Sequence, residues 1–214
     1  MDNNIAALFD LDGVIIDTEP QYDIFWKKTG EEYGLNIDHF EQVIKGTTLP
    51  NIIAKYFSHL PEEEQKTVAT ANRTFDLQME LVPIPGALEF LDELKKNGIR
   101  MGLVTSSSSE KLEVVFKTLP LLPYFDTVVS ADRITKGKPD PMCYLLAAKD
   151  LDISPKHCIV FEDSFNGIAS GNAAGMKVIG LSTTNPAESI REKTVKVIPN
   201  FKNFSVEDFL STII

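Results

Sequence analysis

The sequence predicts an α/β protein, a parallel sheet core with a small inserted all-helical domain. Three observations carry this reading. Short apolar runs at residues 5–9, 99–104, 127–130, 158–161, 177–181 and 195–198 have the continuous hydrophobicity of strands buried on both faces. Stretches with helical spacing separate most of these runs, which makes βαβ units with right-handed crossovers. Between the first run and the second, residues 20–82 keep helical spacing and hold no convincing strand.

The elements follow in order. Residues 5–9 form the first strand and end at Asp10. Segments 21–33, 38–44, 51–57 and 61–81 read as helices of the insertion. The last opens with Pro61 and then Glu62, Glu63 and Glu64, acids that suit the positive end of a helix; the charge run itself is a solvated helix start. Pro83-Ile84-Pro85-Gly86 marks the return to the core. The expected division is therefore residues 1–17 and 84–214 for the α/β core and 18–83 for the helical domain. Helix 87–97 stops at Gly98, strand 99–104 runs into Thr105 and four serines, and helix 110–118 follows. After strand 127–130, Asp140 caps a helix over 141–149 with Pro141 in its first position. Strand 158–161 ends at Glu162-Asp163, helix 167–174 follows, and strands 177–181 and 195–198 complete the sheet.

Composition narrows the functions open to such a chain. It has 214 residues, 21 basic and 31 acidic, for a net charge of −10, and this acidic balance argues against a sequence-independent nucleic-acid binder. Cys143 and Cys158 lie in no metal or redox motif and read as reduced core residues. No apolar run reaches the ~18 residues of a spanning helix, and the N-terminus lacks the marks of an export signal. A cytoplasmic monomer without membrane or nucleic-acid partners is the expectation.

In open α/β sheets, ligands bind beyond the carboxyl ends of the strands. The sequence sends Asp10 and Asp12, Thr105 and Ser106, and Glu162 and Asp163 to that edge, with Lys138 brought in by a loop. Carboxylates gathered with so little base repel one another and call for a counter-ion. An all-oxygen donor set suits Mg²⁺, which commonly takes one or two carboxylates and a substrate phosphate. The charges thus point to phosphoryl transfer. One carboxylate attacks phosphorus, and a second, two residues on, serves as acid to the leaving group and then as base for water.

These residues also carry a family likeness. Phe9-Asp10-Leu11-Asp12-Gly13-Val14-Ile15-Ile16-Asp17-Thr18-Glu19-Pro20, Leu103-Val104-Thr105-Ser106, Gly137-Lys138-Pro139-Asp140-Pro141 and Phe161-Glu162-Asp163-Ser164-Phe165-Asn166-Gly167 stand in the order and spacing of the haloacid dehalogenase superfamily. The whole chain resembles its branch with a small helical cap, which includes β-phosphoglucomutases and many sugar-phosphate phosphatases. The resemblance implies a Rossmann-like core and a mobile cap that closes over the substrate. It implies Asp10 as nucleophile and metal ligand, and Asp12 as general acid/base, its carbonyl also on the metal. Thr105, Ser106 and Lys138 would hold the phosphate, with Lys138 also neutralising the nucleophile. Asp163 would ligate Mg²⁺ directly, and Glu162 would support the metal site through bound water or hydrogen bonds. Gly13 would allow the turn after the catalytic loop.

Asp12 favours phosphoryl transfer over dehalogenation, since a halide leaves without a proton. The cap separates phosphatase from mutase. Where the resembling mutases place a His and an Arg, this chain has Tyr22 and Leu49, and without the Arg there is no bidentate grip on a second phosphate. Hydrolysis of a small phosphomonoester, a sugar phosphate by resemblance, is the expected activity, ahead of a mutase or a non-catalytic binder. Tyr22, Lys45 and Thr47 are the candidates for the cap's substrate face. Trp26 reads as helix packing, Ser107 and Ser109 stay open between a polar loop and substrate contact, and His39, His59 and His157 lie outside every motif.

Overall fold

The computed structural model describes residues 5–212; residues 1–4, where no export signal is read, and 213–214 lie outside them. Strand β1 (Ala6–Phe9) is wholly buried, as its unbroken apolar run requires. It lies between β2 (Arg100–Val104) and β4 (Cys158–Glu162), and β3 (Thr127–Val129), β5 (Lys177–Leu181) and β6 (Lys196–Ile198) extend the sheet outwards. The order is β3-β2-β1-β4-β5-β6, and every pairing is parallel. Phe9 pairs with Leu103 on one side and Phe161 on the other, so Asp10, Val104 and Glu162 leave the sheet at one level.

Helices α5 (Ala87–Lys96), α6 (Ser109–Thr118), α7 (Met142–Asp150) and α8 (Phe165–Ala173) make the crossovers. One face of the sheet packs on a phenylalanine cluster. Phe9 and Phe161 stack with centroids 4.7 Å apart, and Phe90, Phe201, Phe204 and Phe209 close around them. Phe209 lies on α10 (Val206–Ser211), which opens with a capping box between Ser205 and Asp208. A four-residue helix, α9 (Ala187–Ile190), precedes β6. The sequence reading assigned neither α9 nor α10. Both are shorter than the window in which helical periodicity is measurable.

Between β1 and α5 the chain forms α1 (Glu19–Glu32), α2 (Phe40–Val43), α3 (Leu49–Ile52) and α4 (Glu62–Asp76). They surround an apolar cluster of their own, with Trp26, Phe40, Phe57 and Val68 at its centre. The two connections to the core run side by side: Asp17 N–H donates to Val82 O at 2.8 Å, and Ile84 N–H to Ile15 O at 2.9 Å.

Four helices differ from expectation. The one expected over 38–44 starts only at Phe40, because His39 takes a left-handed φ of 52°. Residues 53–57 continue α3 with the wider π spacing. The helix expected over 61–81 ends at Asp76, since Gln21 pairs through its amide with the N–H and C=O of Glu80, and Pro83 favours extended backbone before it. The helix expected over 141–149 starts at Met142, with Pro141 rather than Asp140 at the N-cap; Asp140 sits one residue earlier, its Oδ1 accepting from Met142 N–H at 3.0 Å.

Candidate active site

The strand ends deliver Asp10, Thr105, Glu162 and Asp163 to one buried edge, together with Lys138 from the loop before α7. Lys138 is 2 % exposed, and its ammonium meets three acceptors: Glu162 Oε1 at 2.6 Å, Asp10 Oδ1 at 3.0 Å and Val104 O at 3.3 Å. Its three protons match these three acceptors. Glu162 is equally occupied. Besides Lys138 it accepts from Tyr144 Oη at 2.8 Å, from the N–H groups of Asp163 and Ser164, and from Ser164 Oγ. Of the two supporting roles expected for Glu162, hydrogen bonding is therefore the one its oxygens carry in this arrangement. Gly167 explains part of the motif: a Cβ there would overlap the Glu162 carboxylate.

Carboxylate oxygens of Asp10, Glu162 and Asp163 lie within 4.8 Å of one another. Asp163 Oδ2 accepts from Thr184 Oγ1, while its Oδ1 is buried without a hydrogen-bond partner. Burial pushes the Asp10 carboxyl up to about 8, against the pull of Lys138. Burial also raises Asp163 well above the carboxylate range, and the charges of Glu19, Glu162 and Asp10 add to the effect. An orphaned, buried carboxylate oxygen beside a second strained carboxylate is what a hard cation relieves, so these residues fit Mg²⁺. Gly13, with φ 72°, turns the chain so closely past Asp163 that a Cβ would strike that carboxylate.

The fit has a pH consequence. Without metal, the folded chain holds the Asp10 proton more tightly (about 8) than the 3.8 of a free Asp. That contribution to stability is full below the unfolded value and is lost as pH rises through the folded one. A cation has to displace the proton, so the rise in Tm on adding Mg²⁺ should be small at about pH 5 and largest above about pH 8. A Mg²⁺ shift independent of pH would contradict this assignment.

Asp12 is held apart from the carboxylate cluster. Its Oδ1 receives Lys111 Nζ at 2.5 Å and the Thr18 hydroxyl, and its Oδ2 receives Ser107 Oγ at 2.9 Å. Burial alone would raise its carboxyl, but these partners, Lys111 first, hold it below the usual range. The Asp12 side chain is thus not among the three clustered carboxylates. Ser107 resolves to an Asp12 partner, whereas Ser109 bonds Asp132 at 2.6 Å.

Thr105 is 1 % exposed and lines a cavity of about 260 Å³, with Asp10, Asp12, Ser106 and Ser107 at its floor. The helical insertion roofs it with Tyr22, Lys45, Thr47, Leu49 and Asp76. Ser106 Oγ donates to Gly46 O at 2.7 Å and Asn166 Nδ2 to Lys45 O at 2.8 Å, which closes the roof onto the core. Lys45 is clamped by Glu19 at 2.8 Å and Asp23 at 2.7 Å, so its charge is already matched. Tyr22 Oη donates to Asp76 Oδ1 at 2.6 Å, and burial pushes the Asp76 carboxyl up to about 6. Trp26 packs on Phe25 and Phe40 while its edge reaches the cavity. His39 pairs with Glu41 on the surface, and no histidine lines the cavity.

Sequence reading missed Lys111, Asp76, Thr184 and Asn185, the last holding Asp163 O at 2.9 Å. It gave no signal for them beyond residue type. No helix among the described residues is long and apolar enough to cross a membrane.

Known proteins align with this arrangement. The family model described as haloacid dehalogenase-like hydrolase matches residues 7–181. Validoxylamine A 7'-phosphate phosphatase of Streptomyces hygroscopicus subsp. limoneus is 32% identical, over 89% of this chain and 91% of its own. Hexitol phosphatase A of Escherichia coli is 31% identical, over 89% and 88%. The crystal structure of β-phosphoglucomutase from Clostridium difficile superposes with a TM-score of 0.81 at 26% identity, covering 97% of this chain and 96% of that one. With the motifs, the sheet order and the helical insertion all in place, the chain belongs to the haloacid dehalogenase-like hydrolases.

Proposed function

We propose that the protein is a Mg²⁺-dependent phosphatase of a small phosphorylated carbohydrate, working through an aspartyl-phosphate on Asp10. The observation that carries the reading is the division of labour between two aspartates two residues apart, Asp10 buried and Asp12 half-buried. Asp10 faces the carboxylate cluster and Lys138, while Asp12 faces away from them toward Lys111, Thr18 and Ser107. Residues 18–83 act as the cap and residues 1–17 and 84–214 as the core. The relatives named above support the substrate class, and a cavity of about 260 Å³ suits a single small metabolite.

In this mechanism a carboxylate oxygen of Asp10 bonds to phosphorus as the P–O bond to the leaving group breaks. The departing oxygen takes the proton of Asp12. Water then attacks phosphorus, its proton passes to Asp12, and the Asp10–phosphorus bond breaks to release phosphate. Lys111 favours the ionised form of Asp12, whereas a phosphate dianion arriving beside it raises its proton affinity again, so that it can serve as the acid. Thr105, the Ser106 N–H and Lys138 hold the phosphoryl oxygens. A divalent ion held by Asp10, Asp163 and the Asp12 carbonyl would offset the charge on the transferring group. Tyr22, Lys45 and Thr47, with Asp76, face the carbohydrate, and cap closure keeps bulk water out.

One observation favours a second reading, a phosphosugar mutase. Arg73 lines the cavity with no carboxylate within ion-pair distance among the described residues, so it could hold a second phosphate. Asp132 beside it weighs against that, as its charge lies close enough to feel Arg73.

Phosphate release with Mg²⁺ from sugar, polyol and nucleotide monophosphates, with Asp10→Asn as control, tests the proposal. Turnover on sugar or polyol phosphates, absent in the control, is expected. No release above the control would overturn the phosphatase reading, and isomerisation of β-glucose 1-phosphate with added bisphosphate would then establish the mutase.

A further inference from the structure

Lys111 belongs to none of the family motifs, yet it is among the most buried side chains in the protein. It is 1 % exposed, and its side chain shows no solvent exposure at all. A lysine is almost never fully buried unless it is paired. Its ammonium reaches two oxygens, Asp12 Oδ1 at 2.5 Å and Tyr22 Oη at 2.9 Å, and it sits 4.8 Å from the centroid of the Tyr22 ring. The Tyr22 hydroxyl in turn donates to Asp76 Oδ1 at 2.6 Å. The backbone of Lys111 is fixed as well, because its N–H donates to the Ser108 hydroxyl that caps α6.

We infer that Lys111 is a positioning residue for the acid/base step: it fixes the Asp12 carboxyl against the leaving-group side of the cavity. Asp12 sits one residue before the Gly13 turn, and its carboxyl has three side-chain partners, Lys111, Thr18 and Ser107. Two of these are hydroxyls, which can turn to other acceptors. The third is a charge whose carboxylate partner within ion-pair distance, among the described residues, is Asp12; Asp76 feels it only from farther off, through the neutral Tyr22 that bonds both. Removing the charge frees the Asp12 carboxyl to rotate away from the oxygen it must protonate. A misplacement of about 1 Å in such a group is enough to cost two orders of magnitude in rate.

This inference rests on the phosphatase reading and can fail separately from it. In the transfer to Asp10, positioning of the acid matters only where the leaving group needs a proton. A sugar alkoxide needs one; p-nitrophenolate and acetate leave as anions. The experiment compares kcat/KM, which reports transfer to Asp10 and not the later hydrolysis of the aspartyl-phosphate common to all substrates, for the sugar or polyol phosphate hydrolysed fastest in the panel with kcat/KM for p-nitrophenyl phosphate or acetyl phosphate, in wild type and Lys111→Met. For the sugar phosphate a loss of about 100-fold is expected, the low end of what general acid–base catalysis supplies. For the activated esters the expected loss is no more than about a tenth of that. The ratio of the two rates does not depend on how much of the variant is folded. If Lys111→Met yields no protein, Lys111→Gln, which keeps a donor without the charge, is measured in the same way. Equal losses on both ester classes, or no loss on either, would overturn the inference. A wild type that hydrolyses neither class would instead sink the phosphatase reading.

Discussion

Asp10→Asn is expected to lose at least about 10³-fold in phosphate release, and in the absence of metal to be the more stable protein at alkaline pH. The loss follows from the chemistry, because an amide oxygen does not form the acyl-phosphate that the two-step route requires. The gain follows from burial. Asp10 is 5 % exposed, and its carboxyl is pushed up to about 8, so ionising it in the metal-free fold is unfavourable. Asn has the same shape, and its amide oxygen can still accept from Lys138 at the 3.0 Å position of Oδ1. Wild type should lose stability relative to the variant as pH climbs from the unfolded value of 3.8 through about 8. Mg²⁺ should reverse the order, by stabilising wild type and doing little for Asp10→Asn. Thermal melts of both proteins across this range, with EDTA and with Mg²⁺, read all of these effects. Undiminished turnover would remove Asp10 from the chemistry. An unchanged Mg²⁺ shift in the variant would remove it from the metal site.

Such a trade of stability for function is expected where charged groups are held away from water for catalysis. The sequence already displays this part of the site. β1 and β4 are short apolar strands, and each ends abruptly in acids, Asp10 and Glu162-Asp163. A parallel sheet leaves such residues one place to go, the edge beyond the strand ends, so topology alone gathers them. Lys111 could not be found that way. It lies one turn into an amphipathic helix, between Glu110 and Leu112, where a lysine ordinarily faces solvent. Its burial arises only because the start of α6 meets both the Asp12 loop and Tyr22, residues far away in the chain. Asp76 was hidden for a related reason. Apolar spacing carries the helix on to residue 81, but pairing of Gln21 with Glu80 ends it at Asp76 and turns that carboxylate inwards. Thr184 and Asn185 reach Asp163 from the loop after β5, where no periodicity exists to read. What escaped the sequence is therefore contact between distant segments, above all across the boundary of the insertion.

Lys138→Met should be the most destabilising single change in the site, by about 3–5 kcal/mol, the usual cost of removing one partner from a buried ion pair. The lysine's charge serves two acids at once, at 3.0 Å and 2.6 Å, and both are 5 % exposed or less. These same carboxylates drive its own pKa upwards despite burial, so it stays an ammonium throughout the working pH range. Methionine fills a similar volume and leaves Asp10 and Glu162 facing each other across an apolar side chain. The penalty should grow with pH, since protonating Asp10 relieves the repulsion and deprotonating it restores the full charge. Mg²⁺ should recover part of the stability, because it neutralises Asp10 from the other side, while turnover stays at least about 10²-fold down for want of the cation on the phosphoryl oxygens. Lys138→Arg should not restore activity: a guanidinium is broader than an ammonium, and the three acceptors around Nζ are spaced for a point charge. Urea unfolding of Lys138→Met at two pH values, with and without Mg²⁺, separates these contributions. Stability within about 1 kcal/mol of wild type at alkaline pH would show that water reaches the site and screens the ion pair.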